Sequence, residues 1–386
     1  MVKVLMKGNE AIGEAAIRAG CRYFFGYPIT PQTELPEYLV RRLPKVGGVF
    51  LQAESEIAAI NMVYGASAAG ARVMTSSSSP GISLKQEGIS YLAGSELPCV
   101  IVNIMRGGPG LGGIQPAQGD YFQATRGGGH GDYRLLVYAP GSVQELADLT
   151  IKAFDRADAY RNPVMILGDG ILGQMMEPVE FKEYKAKGVY QKPWATTGTR
   201  EERKPNIVNS LYLDPEELEE HNYSLLSKYE TIEAKERLYE QYLTSDADIV
   251  LVAFGTTARI AKAAVKQARE RDIKAGLFRP ITLWPFPDTE LIRAMVPGAK
   301  AVLTVELSMG QLVDDVRLAV GSEMPVYFYG RAGGMVPSTK GIYQEICRIL
   351  GISSEVPPVL EKGVRYSFQG GGKVYDKGIS KIQSAI

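Results

Sequence analysis

The sequence predicts an α/β protein with two open, mostly parallel sheets. Three observations lead there. Short β-rich runs alternate with segments of helical apolar spacing, the pattern of parallel strands joined by crossover helices. A charged and aromatic stretch without a clean period interrupts the alternation once, after which it resumes. The 386 residues give a chain of the length expected for two ordinary domains.

Strands are expected at 23–25, 49–52, 72–76, 99–105, 135–139 and 164–167, with helices at 9–19, 32–42, 56–70, 82–93 and 143–156 between them. These form a first domain over 1–177. Residues 178–245 read as an extended arm with one solvated helix. The pattern returns with a strand at 249–254, an amphipathic helix at 257–271 and strands at 301–305 and 326–329, a second domain over 246–350. Residues 351–386, which include Gly370-Gly371-Gly372, read as an extended tail.

Charge and composition narrow the function. The 43 basic and 43 acidic side chains cancel, leaving no electrostatic reason to seek nucleic acid or an anionic membrane. No apolar run approaches the roughly 18 residues of a membrane span, and the first residues are too short and interrupted for a signal peptide, so a cytoplasmic protein is expected. Cys21, Cys99 and Cys347 are far apart and none belongs to a Cys-x-x-Cys pair. Neither a disulfide framework nor a cluster-binding motif is encoded, and any redox metal must come from a partner.

Two phosphate-binding patterns fail their context. Gly108-Pro109-Gly110-Leu111-Gly112-Gly113 has the G-x-G-x-x-G spacing after a strand, but Pro109 and the following Gly113-Ile114-Gln115-Pro116 do not open a helix. Gly168-Asp169-Gly170 begins like a magnesium-diphosphate signature but lacks the Asn pair some thirty residues later; Asn206 and Asn209 come too late.

Glu56 is the most informative residue. It opens the helix at 56–70, whose run from Ile57 to Ala71 is small and apolar on every side, predicting burial all round and an acid close to the core. Desolvation disfavours the ionised form of such an acid and suits a group that shares a proton with a bound base. Its plainer reading is a first-turn carboxylate held by the helix dipole. Thr30 sits between Pro28 and Pro31 in a stiff turn, and Arg106 ends the apolar strand, where a guanidinium is a natural clamp for a carboxylate. Together they suit recognition of a 2-oxoacid beside a proton-sharing heterocycle. Glycine clusters at 107–113 and 127–131 suit close backbone approach or a lid, or are plain loops. His130 in the second suits proton handling or a structural hydrogen bond equally.

These motifs resemble the alpha subunits of the 2-oxoacid:ferredoxin oxidoreductases. The likeness runs through Tyr27-Pro28-Ile29-Thr30-Pro31, Glu54-Ser55-Glu56-Ile57-Ala58-Ala59-Ile60-Asn61, the small-residue run 65–71, Ser79-Pro80-Gly81 and Arg279-Pro280-Ile281-Thr282-Leu283-Trp284-Pro285-Phe286-Pro287. The segments 106–125 and 127–132 are most similar to the 3-methyl-2-oxobutanoate (2-ketoisovalerate) subgroup. The resemblance implies a thiamine-diphosphate pyrimidine-binding domain followed by a transketolase C-terminal-like domain. It implies Glu56 as the catalytic acid on the pyrimidine nitrogen, Pro28, Ile29 and Ser79 as further cofactor contacts, and Thr30 and Arg106 as substrate contacts. No metal ligand is implied on this chain. The reaction implied is oxidative decarboxylation of a 2-oxoacid to acyl-CoA and CO2, the cofactor's thiazolium accepting electrons that pass through iron–sulfur clusters to ferredoxin. The diphosphate and magnesium are then expected on a beta subunit and the clusters on partner gamma and ferredoxin-like delta subunits. The start of the second domain, Gly255-Thr256-Thr257, is a further expected anion site, for part of coenzyme A. Rival readings keep the chemistry but change the oxoacid to pyruvate, 2-oxoglutarate or an aryl pyruvate, or keep the fold in a non-catalytic scaffold or regulatory paralogue.

Overall fold

The computed structural model of the chain describes residues 3–184, 191–199, 201–295, 298–322, 324–354, 356, 361–369 and 372–375. The chain forms two compact units. The first comprises 1–105, 122–236 and 283–285, the second 106–121, 237–282 and 286–386.

In the first unit, strand β1 (Val4–Lys7) leads into helix α1 (Gly8–Arg18). The alternation continues as β2 (Tyr23–Gly26), α2 (Glu34–Arg42), β3 (Val49–Gln52), α3 (Glu56–Ala68), β4 (Val73–Ser77), α4 (Pro80–Gly94) and β5 (Val100–Met105). It closes with α5 (Tyr121–Arg126), β6 (Leu136–Tyr138), α6 (Val143–Tyr160), β7 (Val164–Asp169), α7 (Gly170–Gln174), β8 (Met176–Val179) and α8 (Pro215–Lys235). A seven-stranded sheet runs in the order β12-β6-β7-β5-β4-β2-β3, its edge strand β12 being Thr282–Trp284. From β6 through β3 every pairing is parallel. Its central strands β4, β5 and β7 are buried throughout, as a sheet covered by helices on both faces requires. Strands β1 and β8 pair separately, antiparallel.

The second unit holds β9 (Tyr239–Tyr242), β10 (Ile249–Val252), α9 (Gly255–Arg269), β11 (Ala275–Pro280), α10 (Asp288–Ala294), β13 (Ala301–Glu306), α11 (Leu312–Val320), β14 (Val326–Gly330), α12 (Thr339–Leu350), β15 (Val364–Gln369) and β16 (Gly372–Tyr375). Its sheet order is β16-β15-β14-β13-β10-β11-β9. Strands β11, β10, β13 and β14 are parallel, and β9, β15 and β16 extend both edges antiparallel. The apolar faces of α9 and α12 close its core over β10, β11 and β13.

Three expectations change. The arm at 178–245 is not simply extended. Its helix α8 starts at a capped N-terminus, where Asp214 accepts from Glu216 and Glu217. It buries Leu225, Tyr229 and Ile232, one stripe at helical spacing, and Lys228 pairs with Glu96 at 3.2 Å. The tail supplies β15 and β16, because their backbone groups complete the open edge of the second sheet; Gly370, Gly371 and 376–386 lie outside the described residues. Segment 106–121 belongs to the second unit. Gln118 is fully buried there, donating to the Phe254 carbonyl at 2.9 Å and accepting from the Leu307 amide at 3.1 Å.

Candidate functional site

Parallel register places the ends of β2, β3 and β4 along one edge of the first sheet. Each of the three runs into a sequence-predicted motif: Tyr27–Thr30 after β2, Ser55–Glu56 after β3, and Ser77–Gly81 after β4. This carboxyl edge is where open α/β sheets build ligand crevices.

Glu56 is the first residue of α3. Ser55 caps the helix, its hydroxyl accepting from the Ala58 amide at 3.1 Å. The Glu56 side chain is 6% exposed, and among the described residues no hydrogen bond or ion pair reaches its carboxylate. It lies against the start of α4. A Cβ on Gly81 would meet Glu56 Oε1 at 2.6 Å and fall on Ser77 Oγ, so glycine is the residue that lets the acid and hydroxyl approach this turn. Ser79, before the helix, takes φ 25° and donates its amide to Asn103 Oδ1 of β5 at 3.1 Å. The buried hydroxyls of Ser77 and Ser78 have no hydrogen-bond partner. A buried acid without a donor and two orphan hydroxyls leave unfilled hydrogen-bonding capacity at this turn, which a ligand nitrogen could use.

The helix carrying Glu56 departs from its expectation. Its buried residues are Glu56, Ala59, Ile60, Val63, Ser67 and Ala68, a single stripe facing β2, β4 and α4. Ile57 on the opposite face is 51% exposed. Leu84 on α4 is 53% exposed. The apolar run therefore covers one buried face and one open face.

Thr30 lies in an exposed turn that is nonetheless anchored. The following Pro31 carbonyl accepts from Asn9 Nδ2 at 2.9 Å and Gln174 Nε2 at 3.2 Å. Gln32, fully buried, accepts from Ser76 Oγ at 2.5 Å and so ties the turn to β4. Pro28 is exposed and Ile29 half-buried in the same turn. The structure thus gathers Pro28, Ile29, Thr30, Glu56 and Ser79 on one sheet edge of the first unit.

Arg106 falls within the second unit, directly after β5. It is 8% exposed, and one of its nitrogens donates to the Leu111 carbonyl at 3.2 Å, tethering the glycine-rich loop. The loop closes on itself: Gly113 donates to the Gly107 carbonyl and Gly107 to that of Gln115, each at 2.8 Å, with no helix opened. The second glycine cluster packs on α4, where a Cβ on Gly129 would meet the Gln86 carbonyl at 2.6 Å. His130 there stands edge-on to Tyr91.

Asp169 is spent on local structure. It caps α7, its Oδ1 accepting from the Ile171 and Leu172 amides at 3.1 Å each. The start of α9, expected to be open to an anion, is filled by the chain itself. Gln118 hydrogen-bonds Thr257 Oγ1 and the Phe254 carbonyl that precedes the helix.

One residue escaped the sequence. Lys85 is fully buried on α4, donating to Thr75 Oγ1 at 2.7 Å and the Ser76 carbonyl at 3.0 Å. Burial drives its pKa down to about 7, against the opposing pull of the Glu56 charge. Nothing in the run Ser83–Gly88 marks a lysine for the interior.

The family described as pyruvate flavodoxin/ferredoxin oxidoreductase, thiamine-diphosphate-binding, matches residues 14–241. The chain belongs to this family. Residues 247–342 match the pyruvate:ferredoxin oxidoreductase core domain II. The chain is 52% identical to the ketoisovalerate oxidoreductase subunit VorB of Methanothermobacter thermautotrophicus, over 92% of this chain and all of that one. It is 37% identical to the 2-oxoglutarate synthase subunit KorA of the same organism, over 89% and 98% of the two chains. A solved 2-oxoglutarate:ferredoxin oxidoreductase from Magnetococcus marinus, with 2-oxoglutarate, coenzyme A and succinyl-CoA bound, matches with a TM-score of 0.79 and 28% identity. That match covers 90% of this chain and 65% of the longer one. The chain is thus an alpha-type subunit of a multi-subunit 2-oxoacid:ferredoxin oxidoreductase. No helix among the described residues is long and apolar enough to cross a membrane.

Proposed function

We propose that this chain supplies the pyrimidine half of a thiamine-diphosphate site in an enzyme that oxidatively decarboxylates a branched-chain 2-oxoacid to acyl-CoA. The observation that carries the reading is the Glu56 carboxyl, buried and without a hydrogen bond from any described residue. A buried acid in that state is completed by a ligand nitrogen. When bound, the cofactor supplies the electron sink for loss of CO2.

The protein's own part is positional. Glu56 holds a proton at the ring nitrogen, Gly81 lets the Glu56 carboxylate approach the start of α4, and Ser79, Pro28 and Ile29 frame the ring. Thr30 engages the oxoacid from the first unit; Arg106, whose guanidinium suits a carboxylate, belongs to the second. A partner beta subunit holds the diphosphate and magnesium, since Asp169 already caps α7. Exposed Ile57 and Leu84, on the two helices that carry the site, are consistent with a second polypeptide covering it. Iron–sulfur clusters reside on gamma and delta partners and deliver electrons to ferredoxin. The branched-chain preference follows the higher identity to the ketoisovalerate subunit.

The test is substrate discrimination by the co-expressed complex. Acyl-CoA formation coupled to viologen reduction is measured with 3-methyl-2-oxobutanoate, pyruvate, 2-oxoglutarate and an aryl pyruvate. The expected result is the highest kcat/KM for the branched-chain acid. A higher value for 2-oxoglutarate overturns the specificity, and no turnover of any oxoacid favours a scaffold.

A further inference from the structure

We propose that Lys85 is a positioning residue of this site, its buried ammonium supplying the positive charge that lets Glu56 release its proton toward the bound ring nitrogen. The inference rests on the assignment of Glu56 to the thiamine ring and goes beyond it by naming what sets that acid's charge.

The geometry comes first. Gly81 and Lys85 lie one turn apart on α4, at i and i+4, and so share a face. At Gly81 that face meets the Glu56 carboxylate and Ser77. At Lys85 it sends an ammonium to Thr75 and Ser76 of the strand that ends at Ser77. Both hydrogen-bond partners are neutral, a hydroxyl and a carbonyl. A fully buried ammonium needs charge compensation as well as acceptors. Among the described residues, the charge that acts on it is that of Glu56. Ser76 in turn donates its hydroxyl to the neutral Gln32 of the turn after β2.

The consequence is a coupled pair. A cation near an acid stabilises the carboxylate and lowers its hold on a proton. With Lys85 charged, the proton shared between Glu56 and a ring nitrogen shifts toward the ring. With Lys85 neutral or removed, Glu56 keeps it. The lysine need not touch the ligand; it acts through the acid.

The experiment measures thiamine diphosphate binding to the assembled complex by calorimetry across pH 5.5–9, beside the pH profile of kcat/KM. Lys85→Met is expected to move the acid limb of both curves upward by about one unit and to weaken binding near pH 7 by about tenfold, as loss of one nearby buried charge does. Thr75→Val keeps the shape but removes one acceptor. It is expected to move both limbs in the same direction by less, and it keeps the test available if Lys85→Met does not fold. A lower melting temperature with unmoved pH limbs in both variants overturns the proposal and leaves Lys85 a structural tie. Glu56→Gln, run in parallel, separates the two failures. If it binds and turns over like the wild type, the assignment of Glu56 falls; if it is inactive while the lysine and threonine variants are unshifted, only the present proposal falls.

Discussion

Two buried glutamates, Glu56 at the start of α3 in the first unit and Glu306 at the end of β13 in the second, contrast an acid with unfilled hydrogen-bonding capacity and one spent on structure. Glu306 is fully buried at the end of β13. Its carboxylate accepts from Ser308 Oγ at 2.7 Å and from the amides of Gln311, Leu312 and Val313 at 3.0–3.3 Å. It closes the first turn of α11 and leaves nothing for a ligand to add. Glu56 is nearly as buried and has none of these donors. Burial does not separate the two; unfilled hydrogen-bonding capacity does.

Substitutions should separate the two. The largest effect is expected from Glu56→Gln, which removes the transferable proton. The kcat of the complex should fall by on the order of 10²-fold or more, while the melting temperature stays near that of the wild type. Gly81→Ala comes next, because its Cβ would sit 2.6 Å from Glu56 Oε1. Displacing the acid should cost on the order of 10²-fold in kcat/KM in the viologen-coupled assay.

Glu306→Ala should do the reverse. Orphaned amides at the start of α11 predict a loss of about 2–4 kcal/mol in denaturant unfolding, with cofactor affinity per folded molecule unchanged. Glu306 also sets a pH dependence. Burial pushes its pKa above the usual 4.5, with Ser308 and the α11 amides opposing. The folded state therefore holds this proton more tightly than the unfolded chain. The stability it contributes is full below about pH 4.5 and is lost as pH rises through the elevated value. Glu306→Gln should flatten that slope in unfolding curves taken from pH 4 to 8.

The smallest expected effect concerns the thiols. Cys21 and Cys99 are buried, and desolvation pushes the first up to about 12 and the second higher still. Neither should react with an aromatic disulfide at pH 8 until the chain is unfolded. Rapid labelling of the native protein would show that the first sheet opens locally.

Much of this contrast was legible in the sequence, and the exceptions have physical causes. The strands at 49–52, 99–105 and 164–167 appear within a residue or two of their expected bounds, because continuous apolar runs between turn residues leave little choice. Glu56 stood out as the polar start of an apolar helix. The open face of that helix did not, since an all-apolar period cannot say which side is covered. Lys85 was hidden because a lone lysine in a helix is ordinarily solvated and its acceptors lie on another element. The close packing at Gly81 depends on Glu56, distant in sequence. Strands β15 and β16 were missed because pairing at a sheet edge, rather than a local apolar pattern, holds them.

The most direct test is the rate of hydrogen–deuterium exchange at C2 of thiamine diphosphate bound to the assembled enzyme, followed by NMR after acid quench, for the wild type and Glu56→Gln. Exchange that falls by about 10²-fold or more in the variant, with the cofactor still bound, is the predicted result. Exchange at the wild-type rate would contradict the role given to Glu56.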